Sequence, residues 1–253
     1  MPLSTVWDDT KGVTPVTAKF LLKCRPPFIV KPGDCPNSLK EAYVLKRRNL
    51  IIGLWGLLAF ASWTFGICLV DVRPIGPMGS MVGLAFLNDA FHRLTGVNWW
   101  LYTFTDWLSM IPLAFVASFG VQGFVQLIRR RSLWKVDRSL LALGGFYIVV
   151  LFLFFFFDKV AINYRPVLIE GLLEPSYPSS TTLLVMCVMP TAALQIRSQM
   201  KNTFLRKIIL CAMVIFSCFM VIGRVLSGVH WITDIVGGLL LSFSLVCFYK
   251  YFE

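Results

Sequence analysis

The stretch GRVLSGVHWITD, residues 223–234, places an arginine, a histidine and an aspartate in an otherwise apolar part of the sequence. Arg224 is a permanent cation whose planar fork matches phosphate oxygens. His230 and Asp234 are four residues apart, so they share one face of a helix. The carboxylate can then hold one imidazole nitrogen while the other acts as a nucleophile or base. This combination predicts chemistry on an anionic substrate.

Two further polar clusters carry side chains suited to the same anion, DKVAINYRP at 158–166 and PSYPSSTT at 175–182. The second precedes an apolar segment, so its serines can cap a helix whose first backbone N–H groups form an anion site. The candidate phosphate-binding residues are Lys159, Arg165, Ser179, Ser180, Thr181 and Arg224. Each cluster alone has a structural alternative, as interfacial cations, a helix cap or a hydrogen-bonded pair. Their occurrence together favours a phosphate site.

Composition predicts the elements that position these residues. The chain is 57% hydrophobic and 15% charged, with a mean hydropathy of +0.72, which excludes a soluble domain. Apolar segments of about the length needed to cross a bilayer occur repeatedly. They lie at 50–70, 107–128, 140–157, 181–196, 208–222 and 231–249. Because open sheet edges cannot face lipid, we predict an all-α polytopic membrane protein with six transmembrane helices in a bundle.

The distribution of basic residues predicts the orientation of this bundle. The net charge is +11, and the basic residues cluster in alternate connections, at 46–48, 129–138, 197–207 and 250. By the positive-inside rule, both termini are cytoplasmic and the three polar clusters lie at the extracytoplasmic ends of the helices. This placement argues against nucleic acid as a partner and for a lipid bilayer. We predict a plasma-membrane protein, and the compact six-span form fits a bacterial one.

The N-terminal residues differ in character from the rest of the chain. Residues 1–45 are rich in proline and charge, so we predict a weakly structured cytoplasmic tail followed by a membrane domain at 46–253. Cys24 and Cys35 fall in this tail, where a disulfide would not persist. Since the sequence shows neither metal-ligand cysteine spacing nor a carboxylate cluster, we predict no metal and no other cofactor.

The three clusters resemble the signatures of a known family. GR-x5-H-x3-D at 223–234 is similar to the third signature of the type 2 phosphatidic acid phosphatase superfamily, which consists of membrane lipid phosphatases. K-x5-RP at 159–166 is similar to the first signature, and YPSST at 177–181 to the second. The order of the signatures and the six spans agree with the family. The resemblance covers residues 159–234, and its third motif is the most specific.

This resemblance implies a metal-independent phosphatase. The phosphoryl group would be held by the candidate phosphate-binding residues and nearby backbone amides. His230 would attack in line to form a phosphohistidine, with Asp234 orienting the imidazole, and water would then release phosphate. Loose phosphoryl-transfer transition states are stabilised mainly by positioning and by cations.

Three departures from the family pattern affect this expectation. Gly223 stands where the family has serine, and the first motif is one residue short, which changes the direction expected for Lys159. Thr181 stands where the family has a histidine that protonates the leaving group. General-acid assistance typically contributes about 10²–10⁴-fold, so its loss is tolerable only for good leaving groups.

The leading hypothesis is an integral membrane phosphatase acting on a lipid-linked phosphate or diphosphate, with a prenyl diphosphate favoured. The alternative is a catalytically impaired relative that binds lipid phosphate without turnover. A transporter using the same charges is disfavoured, because the charges lie at the ends of the spans instead of inside them.

Overall fold

A computed structural model describes residues 37–253, and all regular structure in this range is helical. Six apolar helices or helix pairs are long enough to cross a membrane. They are α1 (Asn37–Leu69), the pair α3 (Trp99–Leu108) and α4 (Met110–Arg130), α5 (Arg138–Lys159), α6 (Ser180–Gln199), α7 (Thr203–Leu226) and α8 (Ile232–Phe252). The predicted all-α, six-span membrane fold is confirmed. Residues 1–36, including Cys24 and Cys35, lie outside the described range.

The helices α6 and α8 form the centre of the bundle. They are the most buried of the six spans, and each packs against the other and against α7. Small and hydroxylated residues such as Ser242 and Ser244 are fully buried in α8, where they allow close helix contact, and their hydroxyls bond to carbonyls of their own helix. Because α6 and α8 both begin at one end of the bundle, the most buried helices of the fold position the connections at that end.

Three connections meet at this end of the bundle. They join α1 to α3, α5 to α6, and α7 to α8. The first contains the short helix α2 (Ala85–Thr95), which packs on the start of α8. Its buried Asn88 donates a hydrogen bond to the Thr233 hydroxyl at 3.0 Å and accepts one from the Thr233 backbone N–H at 3.3 Å. The first turn of α8 is therefore fixed from outside by α2.

Gly228 permits the tight connection between α7 and α8. Its φ is +65°, and a Cβ at this position would lie 1.7 Å from the Gly96 carbonyl oxygen. Both the conformation and the close approach exclude a larger residue. This short turn places the ends of α7 and α8, and therefore the third polar cluster, side by side.

Candidate active site

His230 lies in the turn before α8 with its imidazole almost fully buried. A terminal nitrogen of Arg165 lies 3.1 Å from its Nε2. Because a guanidinium is always a donor, Nε2 accepts this hydrogen bond, and the ring proton of a neutral imidazole lies on Nδ1. The lone pair of Nε2 therefore points towards the cation that would hold a phosphoryl group.

Asp234 lies in the first turn of α8, beside the Nδ1 of His230. Its Oδ2 accepts a hydrogen bond from the Trp231 backbone N–H at 3.0 Å and lies 3.6 Å from His230 Nδ1. The latter distance is longer than a hydrogen bond, as is common for catalytic pairs before a substrate binds. The carboxylate is fully buried, and its position beside Nδ1 would allow it to orient the imidazole.

The surroundings of His230 keep its imidazole neutral. Burial lowers the pKa of His230 well below its ordinary value, and the positive charges of Arg165 and Arg224 lower it further. A neutral imidazole has the lone pair that a nucleophile needs.

A cavity of about 260 Å³ opens beside His230 and Arg165. Its polar lining also includes Asp158, Glu174 and Ser176, and its apolar wall includes Phe154, Phe157 and Leu183. Glu174 Oε2 lies 3.0 Å from Arg165 Nε. The loop from α5 to α6 sets these two side chains together, because the Arg165 backbone N–H donates to the Glu174 carbonyl. Sequence reasoning missed Glu174, which falls in none of the three polar clusters, and it did not single out Ser176 within the second cluster.

Arg224 is buried, but it contacts α3 instead of this cavity. Its guanidinium lies 3.3 Å from the Thr105 hydroxyl, 3.5 Å from Asp106 Oδ1 and 4.9 Å from the centre of the Tyr102 ring. This contact was not predicted, because the second span was expected to begin only at residue 107 and α3 lies almost entirely before it. The α3 contact also accounts for Gly223, where a Cβ would lie 2.8 Å from a Thr105 methyl group.

The three hydroxyl-bearing residues Ser179, Ser180 and Thr181 of the second motif occupy three different environments. Ser179 is fully buried at the N-cap of α6, and its hydroxyl accepts a hydrogen bond from Thr182 at 3.1 Å, so it does not cap a backbone N–H. Ser180 lines the cavity beside His230. Thr181 lines a neighbouring cavity of about 280 Å³ together with Asp106 and Ser180. Of the three hydroxyl side chains, Ser180 is therefore the one that lines the cavity beside His230.

Lys159 lies outside the cavity. It ends α5, its side chain is 83% exposed, and its ammonium lies 3.4 Å from Asp158 Oδ2. The preceding residue, Asp158, lines the cavity in its place. This arrangement agrees with the shortened first motif, because a shift of one residue turns a helical side chain by about 100°.

Comparison with known proteins places this geometry in a family context. Residues 146–253, which hold all three motifs, match the family model of the PAP2 superfamily. No curated protein matches the sequence closely enough to count as a relative. The chain is similar to the crystal structure of the first transmembrane PAP2-type phosphatidylglycerolphosphate phosphatase from Bacillus subtilis, with 17% identity and a TM-score of 0.52. The match covers 79% of this chain and 93% of that chain, and it establishes a shared multi-pass membrane fold. Over residues 146–253 this match agrees with the family resemblance that the motifs carry.

Proposed function

We propose, on the premise that residues 146–253 form a PAP2 superfamily segment of a multi-pass membrane protein, that this chain is a lipid phosphatase. Its substrate is a lipid-linked phosphate or diphosphate, and the reaction proceeds through a phosphohistidine on His230. The observation that carries the proposal is the 3.1 Å contact between His230 Nε2 and Arg165 in a cavity large enough for a phosphoryl group.

The first chemical step is attack by His230 on phosphorus. A phosphate bound to Arg165 would lie against the lone pair of Nε2, which forms a P–N bond as the bond to the leaving oxygen breaks. The imidazole then becomes positively charged, and the buried carboxylate of Asp234 stabilises that charge and retains the Nδ1 proton. Water subsequently attacks phosphorus, the P–N bond breaks, and inorganic phosphate is released.

The direct test is phosphate release by the purified protein from lipid monophosphates and diphosphates in detergent micelles. A phosphoenzyme that is stable in base and labile in acid would support the histidine intermediate. Absence of phosphate release from every lipid, together with retained binding of those lipids, would instead support the alternative, a catalytically impaired protein that binds lipid phosphate.

Thr181 determines which substrate we propose. A phosphate monoester expels an alkoxide, a strong base that needs a proton donor in the transition state. A diphosphate expels a phosphate monoester, whose second pKa is about 6, so this group departs largely unprotonated at neutral pH. Because a threonine hydroxyl cannot donate that proton, the chain should prefer a diphosphate, and we propose a prenyl diphosphate.

Thr181→His should restore the missing acid and change the substrate preference. We expect kcat/KM for a prenyl monophosphate to rise by about 10-fold or more, with a change of less than about 3-fold for the matching diphosphate. Thr181→Asn is the control, because it introduces a larger polar side chain that cannot act as a general acid. Equal changes on both substrates in Thr181→His would contradict the leaving-group argument, as would a wild-type preference for the monophosphate.

We propose that the cavity faces the extracytoplasmic side of the membrane, as the basic connections predict. Met78 and Trp134 are highly exposed in connections at opposite ends of the bundle, with 81% and 94% exposure. In a variant without native cysteines, cysteine at Met78 should react with an impermeant maleimide added outside intact cells, and cysteine at Trp134 should react only after lysis. The reverse labelling pattern would place the site in the cytoplasm.

A further inference from the structure

Release of phosphate from a phosphohistidine needs a water molecule and a base, and the proposed function leaves that base unassigned. The family position for an acid–base group holds Thr181, which lines the neighbouring cavity. A base must lie in the same cavity as His230 and must be unprotonated at neutral pH. A carboxylate in this cavity meets both conditions.

Two other titratable side chains near the site, His92 and Asp106, lie in the wrong place to act as this base. His92 shares a cavity with His230, but its volume is about 10 Å³, room for about one water and too small for a phosphoryl group. Asp106 pairs with Arg224 and lines the neighbouring cavity with Thr181.

Two carboxylates do line the cavity of His230, those of Asp158 and Glu174. The Asp158 carboxylate is paired with the Lys159 ammonium, 3.4 Å away, and the Lys159 side chain is exposed to solvent. This pairing directs the Asp158 carboxylate towards a cation outside the cavity. Glu174 instead lies 3.0 Å from Nε of Arg165, whose terminal nitrogen contacts His230. One guanidinium therefore joins the nucleophile to this carboxylate, and a phosphoryl group held by Arg165 would have His230 and Glu174 as its neighbours.

We propose that Glu174 is the general base that activates water for hydrolysis of the phosphohistidine. As water attacks phosphorus, its proton passes to the Glu174 carboxylate, the P–N bond breaks and its electron pair returns to His230 Nε2. Glu174 then releases the proton to solvent, and phosphate leaves. This assignment rests on the proposed function and deepens it.

The contact between Glu174 and Arg165 suits a base that must remain ionised and accessible. The Glu174 side chain is 39% exposed, so water and product protons can reach it. Within the described chain, Arg165 Nε makes no aligned hydrogen bond despite the 3.0 Å separation, so the carboxylate is held near the cation without being locked to it.

The test separates formation of the phosphoenzyme from its hydrolysis. Rapid-quench experiments with a labelled prenyl diphosphate would follow release of the prenyl monophosphate, the amount of phosphohistidine and release of inorganic phosphate. In Glu174→Gln we expect phosphohistidine to form at nearly the wild-type rate and then to accumulate, because its hydrolysis falls by about 10²-fold or more.

Two matched variants complete the experiment. Glu170→Gln makes the same charge change at an exposed position of the same loop and should leave all three rates unchanged. Asp158→Asn changes the other carboxylate of the cavity and should not accumulate phosphohistidine.

The outcomes distinguish failure of the Glu174 assignment from failure of the proposed function. Equal loss of formation and hydrolysis in Glu174→Gln would show that Glu174 only positions Arg165 and would overturn the inference. Accumulation in Asp158→Asn alone would also overturn it, by moving the role to Asp158. If the wild type forms no phosphohistidine and releases no phosphate, the proposed function itself fails.

Discussion

His230→Ala is expected to abolish phosphate release from every substrate. Removal of a catalytic nucleophile typically lowers kcat by several orders of magnitude, and we expect a loss on the order of 10⁴-fold or more. No other described side chain combines a contact to Arg165 with an orienting carboxylate behind it. Burial and two nearby arginines lower the pKa of His230, and this keeps the wild-type imidazole in the neutral form that can act as a nucleophile.

The measurement must exclude loss of folding as the cause of inactivity. His230 is buried, so truncation leaves a small cavity, and His230→Gln is a second variant that preserves most of the side-chain volume. Both variants should elute as wild type in detergent and should still bind inorganic vanadate through Arg165, although neither should form phosphoenzyme. Phosphoenzyme in either folded variant would show that another residue is the nucleophile.

The membrane fold follows from the sequence because lipid leaves few alternatives. Long apolar segments must be helices, and the six predicted spans all appear. The ends of the spans were less predictable. The span predicted at 208–222 extends to Thr203–Leu226, because Asn202 caps its first turn and Arg224 in its last turn is buried against α3.

The candidate site was predictable only where a motif fixes both residue type and spacing. The four-residue interval correctly predicted that His230 and Asp234 lie close together, but His230 lies in the turn before α8 and not on the helix, as the interval had suggested. The contact between Glu174 and Arg165 depends on how the α5–α6 loop folds back on itself, and no periodicity encodes that. Arg224 was predicted as a phosphate ligand from its motif alone, and the helix that covers it could not be placed from sequence.

The different surroundings of the two arginines lead to a ranking of their roles. Arg165 lines the cavity and contacts His230, whereas Arg224 is enclosed by α3 and acts on the site through its charge. Phosphate ligands that reach the reacting group contribute most when they are preorganised in a water-poor site. Arg165 should therefore be the more sensitive position for phosphate binding and turnover.

Arg165→Lys is expected to lower kcat/KM by about 10²–10³-fold although it preserves the charge. Lysine is a point charge without a planar fork, so it cannot contact a phosphoryl oxygen, His230 and Glu174 at the same time. The same variant should weaken competitive inhibition by vanadate, because the bidentate contact to the oxyanion is lost. Arg93→Lys, at a position with 78% side-chain exposure at the same end of the bundle, is the control and should behave as wild type.

Arg224→Lys tests whether the loss of vanadate inhibition is specific to Arg165. Its guanidinium packs over Tyr102 and against Asp106, so lysine there should chiefly reduce thermal stability in detergent. Inhibition by vanadate should change less in Arg224→Lys than in Arg165→Lys. If the two variants lose vanadate binding equally, both arginines contact the phosphoryl group during the reaction. The α3 contact seen here would then have to open when substrate binds, which gives α3 a part in catalysis.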